Sequence, residues 1–219
     1  MRTRALLAVG ALLAASAWCC LLLVVRARAF GDDPYVGMVW NLFLAWIPFA
    51  FALLLLAAYR AGRSTLELVA VGAAWLVFLP NAPYMLTDFV HLGYDHRLYD
   101  SFAIASFAFT GLALGFTSLL IVQLVVTRAA GALSGWLVAG SALFLSSVGV
   151  YLGRVQRLNS WDVLSKPHVL AALARAKLDD PFGNRHLIGF VVAVCGFLTL
   201  AYLAVYGVAQ LAASVRRDG

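Results

Sequence analysis

The sequence predicts an all-α, polytopic membrane protein: a bundle of about six transmembrane helices forming a single domain over residues 1–219. Of the 219 residues, 63% are hydrophobic and 12% are charged, and the mean hydropathy is +0.91. A water-soluble domain is nearer half apolar and a quarter charged, so this chain has too little polar surface to cover a globule in water. Six apolar runs are long enough to matter when a helix needs ~20 residues to cross a hydrocarbon core, although the third run is shorter than this.

The first two runs cover residues 5–25 and 38–59, separated by a polar loop over residues 26–37. The alternative for the first run is a cleaved signal peptide, because Ala15-Ser16-Ala17 resembles a cleavage site. The run is longer than a signal core, which favours a retained helix. Pro48 is expected to kink the second helix, a feature that membrane helices tolerate when neighbours satisfy the freed carbonyl.

The third run is predicted to be a broken helix. Ser64 and Glu67 form a capping-box pattern at its start. Residues 65–79 span roughly 22 Å at 1.5 Å per residue, short of a full crossing. Pro80-Asn81-Ala82-Pro83 then interrupts the helix, and residues 84–92 are expected to form a second, short helical segment. Backbone groups freed at such a break must face protein or water, and the motif's asparagine is expected to satisfy some of them.

The remaining three runs cover residues 102–126, 133–152 and 187–213. The fourth run contains Gly111-x-x-x-Gly115, a spacing that places two small residues on one helix face and predicts close helix packing. The longest hydrophilic segment lies between the fifth and sixth runs. The sequence therefore has two segments rich in polar residues, one after the third run and one after the fifth.

Six crossings place these two segments on the same side of the membrane, because successive loops alternate sides. Their unusual polar residues are expected to form one cluster at that interface. The cluster comprises Asn81, Tyr84, Asp88, His91, Tyr99 and Asp100 from the first segment, and Arg154, Arg157, Asn159, Trp161 and Asp162 from the second. All of these residues except Asp88 and His91 are candidate ligand-binding residues. The positive-inside rule does not decide which compartment this face meets, because the Lys and Arg residues divide almost evenly between the two sides.

The motifs in these segments resemble those of a bacterial integral-membrane family catalogued as domain of unknown function 1361. They are Pro80-Asn81-Ala82-Pro83-Tyr84, Thr87-Asp88, His91-Leu92, Tyr99-Asp100, Tyr151-Leu152-Gly153-Arg154 and Asn159-Ser160-Trp161-Asp162. The resemblance covers roughly residues 60–213. It implies a multi-pass protein of the bacterial cytoplasmic membrane and supports this choice of residues. The family brings no established activity, so the resemblance leaves the mechanism open.

Asp88 and His91 are the candidate catalytic residues, because a spacing of three residues places them on one face of a helix. An aspartate can fix the tautomer of a histidine that acts as an acid or base. The same pair could bind a metal ion, with Asp100, His96 or Asp162 as further ligands. A third interpretation is a hydrogen-bonded pair that only holds the broken helix in shape. The sequence does not assign a metal or a cofactor.

Arg154 and Arg157 are the candidate ligand-binding arginines, predicted to extend the fifth helix beyond the membrane. The planar guanidinium of arginine forms bidentate hydrogen bonds with phosphate and carboxylate groups, so an anionic lipid or amphiphile is the expected ligand. The alternative is that both arginines pair with Asp88, Asp100 or Asp162 and lock the two segments together.

The net charge of +6 does not indicate nucleic-acid binding, because the basic residues stand at the ends of apolar runs, where they meet lipid headgroups. Membrane lipids are therefore the expected partners, and no protein partner is indicated. Cys19, Cys20 and Cys195 lie inside apolar runs without metal-ligand spacing. Three functions remain open: a membrane enzyme or binding site for an anionic amphiphile, a small-solute transporter, and a non-catalytic partner or scaffold subunit.

Overall fold

A computed structural model describes residues 2–31, 35–93, 95–158, 160–169, 172, 175 and 185–218. Within these ranges the chain is helical and contains no strand. The elements are α1 (Arg2–Phe30), α2 (Gly37–Arg60), α3 (Thr65–Phe78), α4 (Asn81–Tyr84), a 3-10 helix (Met85–His91), α5 (Arg97–Ala130), α6 (Ala132–Val155), α7 (Asp162–Ser165) and α8 (Arg185–Asp218).

Six helical stretches of the described chain are long and apolar enough to cross a membrane. The third of them, Thr65–His91, joins α3, α4 and the 3-10 helix. The predicted all-α bundle with six spans and a broken third helix is therefore confirmed, and the chain is a multi-pass membrane protein. Pro48 lies inside α2, which continues on both sides of it.

The helices extend further into the polar segments than the apolar runs suggested. Residues 26–30, predicted as loop, continue α1, and α5 begins at Arg97 rather than at Phe102. Charged residues can remain helical at a membrane boundary when they find partners there, as described below. The start of α3 is as predicted, because the hydroxyl of Ser64 accepts a hydrogen bond from the N–H of Glu67 at 3.3 Å.

The described chain forms two compact units, residues 1–118 and residues 119–219, and the boundary falls within α5. Each unit is described by itself below. The single-domain organisation expected from the sequence stays a prediction.

The break in the third span is stabilised by side chains of the break itself. The Asn81 amide Nδ2 donates to the carbonyl of Phe78 at 2.9 Å, and the Thr87 hydroxyl donates to the carbonyl of Tyr84 at 2.7 Å. Both acceptors lie near Pro80 and Pro83, which lack an N–H and so cannot serve as backbone donors. The prediction that Asn81 satisfies backbone groups freed by the break is confirmed.

In unit 1, α4 packs against the glycine pair of α5. A Cβ atom at Gly111 would lie 2.5 Å from the carbonyl oxygen of Ala82 and would collide with the Met85 methyl group. A Cβ atom at Gly115 would lie 2.8 Å from the Cβ of Ala82. The predicted helix-packing face is therefore confirmed, and its partner is the broken segment.

Two indole–hydroxyl hydrogen bonds join further helices of unit 1. The Trp75 indole of α3 donates to the Ser118 hydroxyl of α5 at 3.1 Å, and this hydroxyl donates to the carbonyl of Gly115 at 2.8 Å. The Trp46 indole of α2 donates to the Ser16 hydroxyl of α1, also at 3.1 Å. These bonds satisfy the polar end of each large side chain, which has no water to bind inside a bilayer. They also show that α1 packs as a structural member of this unit.

In unit 2, α6 packs against α8 through aromatic side chains near both ends. The ring centroids of Trp136 and Tyr206 are 4.8 Å apart, and those of Tyr151 and Phe190 are 5.8 Å apart. Because the early residue of α6 meets the late residue of α8, the two helices run antiparallel. The aromatic pairs contribute specific geometry in addition to apolar contact area.

A buried polar pair that sequence analysis did not identify also joins helices of unit 2. The Tyr202 hydroxyl of α8 donates to the Gln123 side chain of α5, and both residues are buried. Close packing brings α6 against α5 at Gly135, where a Cβ would collide with the Thr127 hydroxyl. Gln123 therefore lies in the packed interior of this unit.

We predict that Gly111→Ala lowers the thermal unfolding temperature in detergent, because the added methyl group would overlap the Ala82 carbonyl. Overpacking of this kind typically costs about 1–3 kcal/mol. Gly72→Ala in α3 is the matched control, because a Cβ there meets no atom within 4 Å. Equal unfolding temperatures for the two variants would contradict the packing described here.

Candidate functional site

A buried ion pair joins α1 to α5 in unit 1. The Arg26 Nε donates to Asp100 Oδ1 at 2.6 Å, and its Nη2 donates to Oδ2 at 3.2 Å. Arg26 is 4% exposed and Asp100 is 2% exposed. The bidentate geometry is the arrangement in which a guanidinium and a carboxylate satisfy each other best. Sequence analysis named Asp100 but assigned Arg26 to a loop.

The Tyr35 phenol links this ion pair to the end of the 3-10 helix. Its oxygen lies 3.1 Å from Asp100 Oδ2 and 3.3 Å from the carbonyl oxygen of His91, two acceptors for its hydrogen. The same oxygen accepts a hydrogen bond from the N–H of Gly93 at 3.4 Å. One buried side chain therefore holds the segment after the broken helix against the start of α5. Sequence analysis missed Tyr35.

Burial raises the pKa of the Tyr35 phenol above its ordinary value of about 10. The negative charge of Asp100 raises this pKa further, whereas the N–H of Gly93 and the guanidinium of Arg26 lower it. The net direction is upward, so the phenol stays protonated at physiological pH. It can therefore act as a hydrogen-bond donor to Asp100 and His91 throughout that range.

Aromatic rings surround the Arg26 guanidinium. Its central carbon lies 5.1 Å from the ring centroid of Tyr35 and 5.9 Å from that of Phe30. The His96 ring stacks on Phe30, with centroids 3.6 Å apart and an angle of 14° between the planes. These rings attract the cation and exclude solvent, which strengthens its interaction with Asp100.

The candidate catalytic residues occupy different environments within unit 1. Asp88 and His91 both belong to the 3-10 helix, in which residues three apart lie on the same face. Asp88 is buried, whereas the side chain of His91, the last residue of the helix, is exposed. A catalytic role for this pair stays a prediction.

The other predicted residues of unit 1 are half-buried around the break and the start of α5. Asn81 and Tyr84 lie in α4, and the Asn81 side chain bonds to the backbone as described above. The Tyr99 hydroxyl donates to the carbonyl oxygen of Leu22 in α1 at 2.7 Å. Tyr99 and Asp100, adjacent in sequence, thus both attach α5 to α1.

In unit 2, the prediction that Arg154 and Arg157 lie along one extended helix is wrong. α6 ends at Val155, which leaves Arg154 in its last turn and Arg157 outside it. Arg157 has a φ of 54°, in the left-handed region, and the chain turns back so that the N–H of Leu158 donates to the carbonyl of Leu152 at 3.2 Å. Arg154 is half-buried, and Arg157 is exposed.

Asp162 opens α7 and is 2% exposed. Its Oδ1 lies 3.1 Å from Lys166 Nζ and accepts a hydrogen bond from the Ser165 hydroxyl at 3.1 Å. The neighbouring Trp161 is 42% exposed. Asn159, also predicted to bind ligand, lies outside the described residues.

The predicted cluster is thus described in two parts, and its assembly into one site stays a prediction. Asp100 pairs with Arg26, and Asp162 pairs with Lys166. The pairing of Arg154 and Arg157 with Asp88, Asp100 or Asp162 stays a prediction. Among the described residues, no three His, Cys, Asp or Glu side chains lie close enough together to hold a metal ion.

We predict that Arg26→Ala and Asp100→Ala each reduce the free energy of unfolding by about 3–5 kcal/mol, because each leaves a buried charge uncompensated. The double variant Arg26→Met/Asp100→Leu should cost less than either single change, since it removes both charges. Thermal unfolding in detergent measures the effects. Arg63→Ala is the control, because Arg63 forms an exposed pair with Glu67 at 3.9 Å, which is worth about 0–1 kcal/mol. A loss for Arg26→Ala as small as the control's would refute the structural role of the pair.

We also predict that Tyr35→Phe lowers the unfolding temperature, because it removes a buried donor at a cost of about 1–3 kcal/mol. The pKa of Tyr35 is higher in the folded protein than in the unfolded chain, so the stabilising effect of the Tyr35 phenol is complete below about pH 10. It is lost as the pH rises through the folded-state value. The difference between wild type and Tyr35→Phe should therefore narrow at alkaline pH. Tyr59→Phe is the control, and a constant difference across this range would argue against the assignment.

One family model matches the chain over residues 40–201, and its description is "Protein of unknown function (DUF1361)". No curated protein and no solved structure matches the chain. The match spans α2 to α8 and includes the break, the candidate catalytic pair and both predicted arginines. The six apolar spans and this match lead to one conclusion: the chain is a multi-pass membrane protein that belongs to the family of domain of unknown function 1361.

Proposed function

We propose that this protein resides in the bacterial cytoplasmic membrane and binds an anionic lipid or amphiphile at the polar end of unit 2. The binding residues are Arg154, Arg157 and Trp161, which we call the basic edge. The observation that supports this proposal is an asymmetry of burial. The nearby carboxylate of Asp162 is buried and bound to Lys166, whereas Arg157 and Trp161 are exposed and Arg154 is half-buried.

The exposed guanidinium of Arg157 gives the surface just after α6 a positive charge. A guanidinium presents several donors in a plane, which matches the oxygens of a phosphate or carboxylate. Trp161 adds an aromatic ring of the type that is enriched where the headgroup region begins. A phosphorylated or carboxylated headgroup above an apolar chain is the ligand that both features fit.

The backbone at Arg157 provides further support. A residue other than glycine in the left-handed region carries a strain of about 1–3 kcal/mol, and glycine is the usual residue at such a helix end. An arginine at this position is unfavourable for local backbone conformation. We therefore infer that its charge has a use that offsets the strain.

Three of the predicted residues of unit 1 are less suited to bind a ligand. The side chains of Asn81, Tyr99 and Asp100 each bond to the protein itself, at Phe78, Leu22 and Arg26. Such bonds hold the fold together and occupy the groups that a ligand would need. We therefore assign these three residues a structural role rather than the ligand-binding role predicted from the sequence.

The test compares Arg154→Gln/Arg157→Gln with wild type in lipid nanodiscs, using titration with a phosphoglycerol lipid and a phosphocholine lipid. Each arginine near a charged membrane surface is worth about 1 kcal/mol, so we expect a loss of roughly thirtyfold in preference for the anionic lipid. Arg128→Gln is the control, because Arg128 is exposed at the end of α5, where the chain enters the opposite end of α6.

Two results would count against this proposal. An equal loss in Arg128→Gln would show that the preference comes from the overall charge of the protein. An unchanged preference in the double variant would exclude the basic edge as the binding surface.

Replacing both arginines by lysine separates the effect of their shape from that of their charge, because lysine keeps the charge but cannot form a bidentate contact.

A further inference from the structure

A lysine that the proposed function does not use lies beside the basic edge in unit 2. The Lys166 ammonium is 3.1 Å from Asp162 Oδ1, and the backbone N–H of the same lysine donates to the Asp162 carbonyl at 2.8 Å. Trp161, a residue of the basic edge, directly precedes this aspartate, and its carbonyl accepts a hydrogen bond from the N–H of Ser165 at 3.0 Å. Lys166 is therefore held within one helical turn of the basic edge.

The two partners of this ion pair differ in burial. The Asp162 side chain is 3% exposed, whereas the Lys166 side chain is 53% exposed. Asp162 Oδ1 also accepts a hydrogen bond from the Ser165 hydroxyl, which helps to fix the carboxylate in place. Removing the cation from a buried carboxylate is costly, so the ammonium stays at Asp162 when a ligand approaches. Asp162 thus acts as a positioning residue for a charge that faces outward.

The ammonium of Lys166 keeps donors for a ligand. A lysine has three N–H groups, and the contact with Asp162 accounts for one of them. The others belong to a side chain that is more than half exposed. An ammonium binds phosphate oxygens as a compact point charge. Lys166 can therefore bind an anion without leaving Asp162.

Lys166 and Arg157 are close enough along the chain to contact one headgroup. The segment from Arg157 to Asp162 spans at most about 17 Å when fully extended. Trp161 has helical backbone angles, with φ −73° and ψ −16°, so the segment is shorter than this limit. Both cations have long side chains that can reach towards a group between them. One headgroup can therefore receive a guanidinium and an ammonium together.

This combination of donors favours one class of anionic headgroup. The planar guanidinium of Arg157 can bind two oxygens at once, and the Lys166 ammonium can bind a further one. A carboxylate and a phosphodiester each have two oxygens of this kind, which the guanidinium alone can satisfy. A phosphate monoester has three such oxygens and a charge of about −1.5 to −2 at neutral pH. The third oxygen and the additional charge match the ammonium.

We propose that Lys166, positioned by Asp162, completes the basic edge as a site for a phosphate monoester at the headgroup of a lipid. This inference rests on the proposed function and specifies the class of its ligand. Arg157 binds two oxygens of the phosphate, and Lys166 binds the third. A lipid is the expected carrier, because the exposed Trp161 ring is of the type that is enriched at membrane interfaces. A dissolved phosphate ester has the same headgroup chemistry and is tested separately.

The experiment compares two lipids that differ at the third oxygen: phosphatidic acid, a monoester, and phosphatidylmethanol, in which a methyl group occupies that oxygen. The full chain in phosphocholine nanodiscs is titrated with each lipid at about pH 8, above the second phosphate pKa of about 6. We expect wild type to prefer the monoester. Lys166→Gln should reduce this preference about fivefold, the effect of one cation near a charged membrane surface. Arg175→Gln is the matched control, because it removes one charge from another exposed position of the same hydrophilic segment.

Asp162→Asn tests the positioning role. Judged by overall charge, removal of a carboxylate should raise the binding of both lipids. Loss of the anchor for Lys166 should instead lower the preference for the monoester, and Asp162→Glu should restore most of it. Thermal unfolding shows whether each variant is folded. If Lys166→Gln fails to fold, the double variant Lys166→Gln/Asp162→Asn, which removes both charges of the pair, is held to the same expectation.

The outcomes separate this inference from the proposed function. An unchanged monoester preference in Lys166→Gln would overturn the inference alone if Arg154→Gln/Arg157→Gln still loses its preference for the phosphoglycerol lipid. An equal loss in Arg175→Gln, or a wild type without monoester preference, would also overturn it. A phosphoglycerol preference that survives in the double-arginine variant would overturn both proposals.

The source of the phosphate monoester is tested with glycerol 3-phosphate, titrated into nanodiscs of phosphocholine lipid only. Weak binding of this soluble ester, compared with phosphatidic acid, supports a lipid as the carrier. If glycerol 3-phosphate binds in a manner that depends on Lys166 while the two lipids bind equally, the lipid carrier is excluded. The inference as stated is then overturned in favour of a dissolved phosphate ester.

Discussion

The buried ion pair between Arg26 and Asp100 is the constraint on which the described structure of unit 1 most depends. Two opposite charges buried in so apolar a protein are stable only as a pair, since either buried charge alone would be costly in a membrane. Their meeting fixes the relative position of α1 and α5 at this end. The Tyr35 phenol extends the same constraint to the segment after the broken helix.

The broken third span depends on a second constraint, which is steric. α4 can lie against α5 because Gly111 and Gly115 leave room for the backbone of Ala82. The break is thereby placed in protein surroundings, where freed backbone groups can find partners, as Asn81 and Phe78 illustrate. Ionic and steric contacts thus hold the two ends of one irregular segment, and the exposed side chain of His91 stands at its edge.

The features predicted from the sequence are those with local causes. The six spans follow from hydropathy, the break from Pro80-Asn81-Ala82-Pro83, and the cap from Ser64. The features that were missed join residues far apart in the chain. Arg26 and Asp100 are separated by 74 positions, and Gln123 and Tyr202 by 79. No local pattern indicates such a pair, although an arginine directly after one apolar run and an aspartate close to the start of another form a weak signal. Arg157 was misplaced because a left-handed residue that ends a helix is usually glycine.

The origin of Arg26 in the first helix has a consequence for biosynthesis. During translation α1 is made before α5, so the arginine enters the bilayer long before its carboxylate partner exists. Its place near the end of the helix allows the long side chain to reach the headgroup region during this interval. In the nascent chain, Arg26 therefore has no carboxylate partner until the fourth span is inserted. Once Asp100 is inserted, the arginine exchanges its solvent contacts for the buried ion pair that joins α1 to α5.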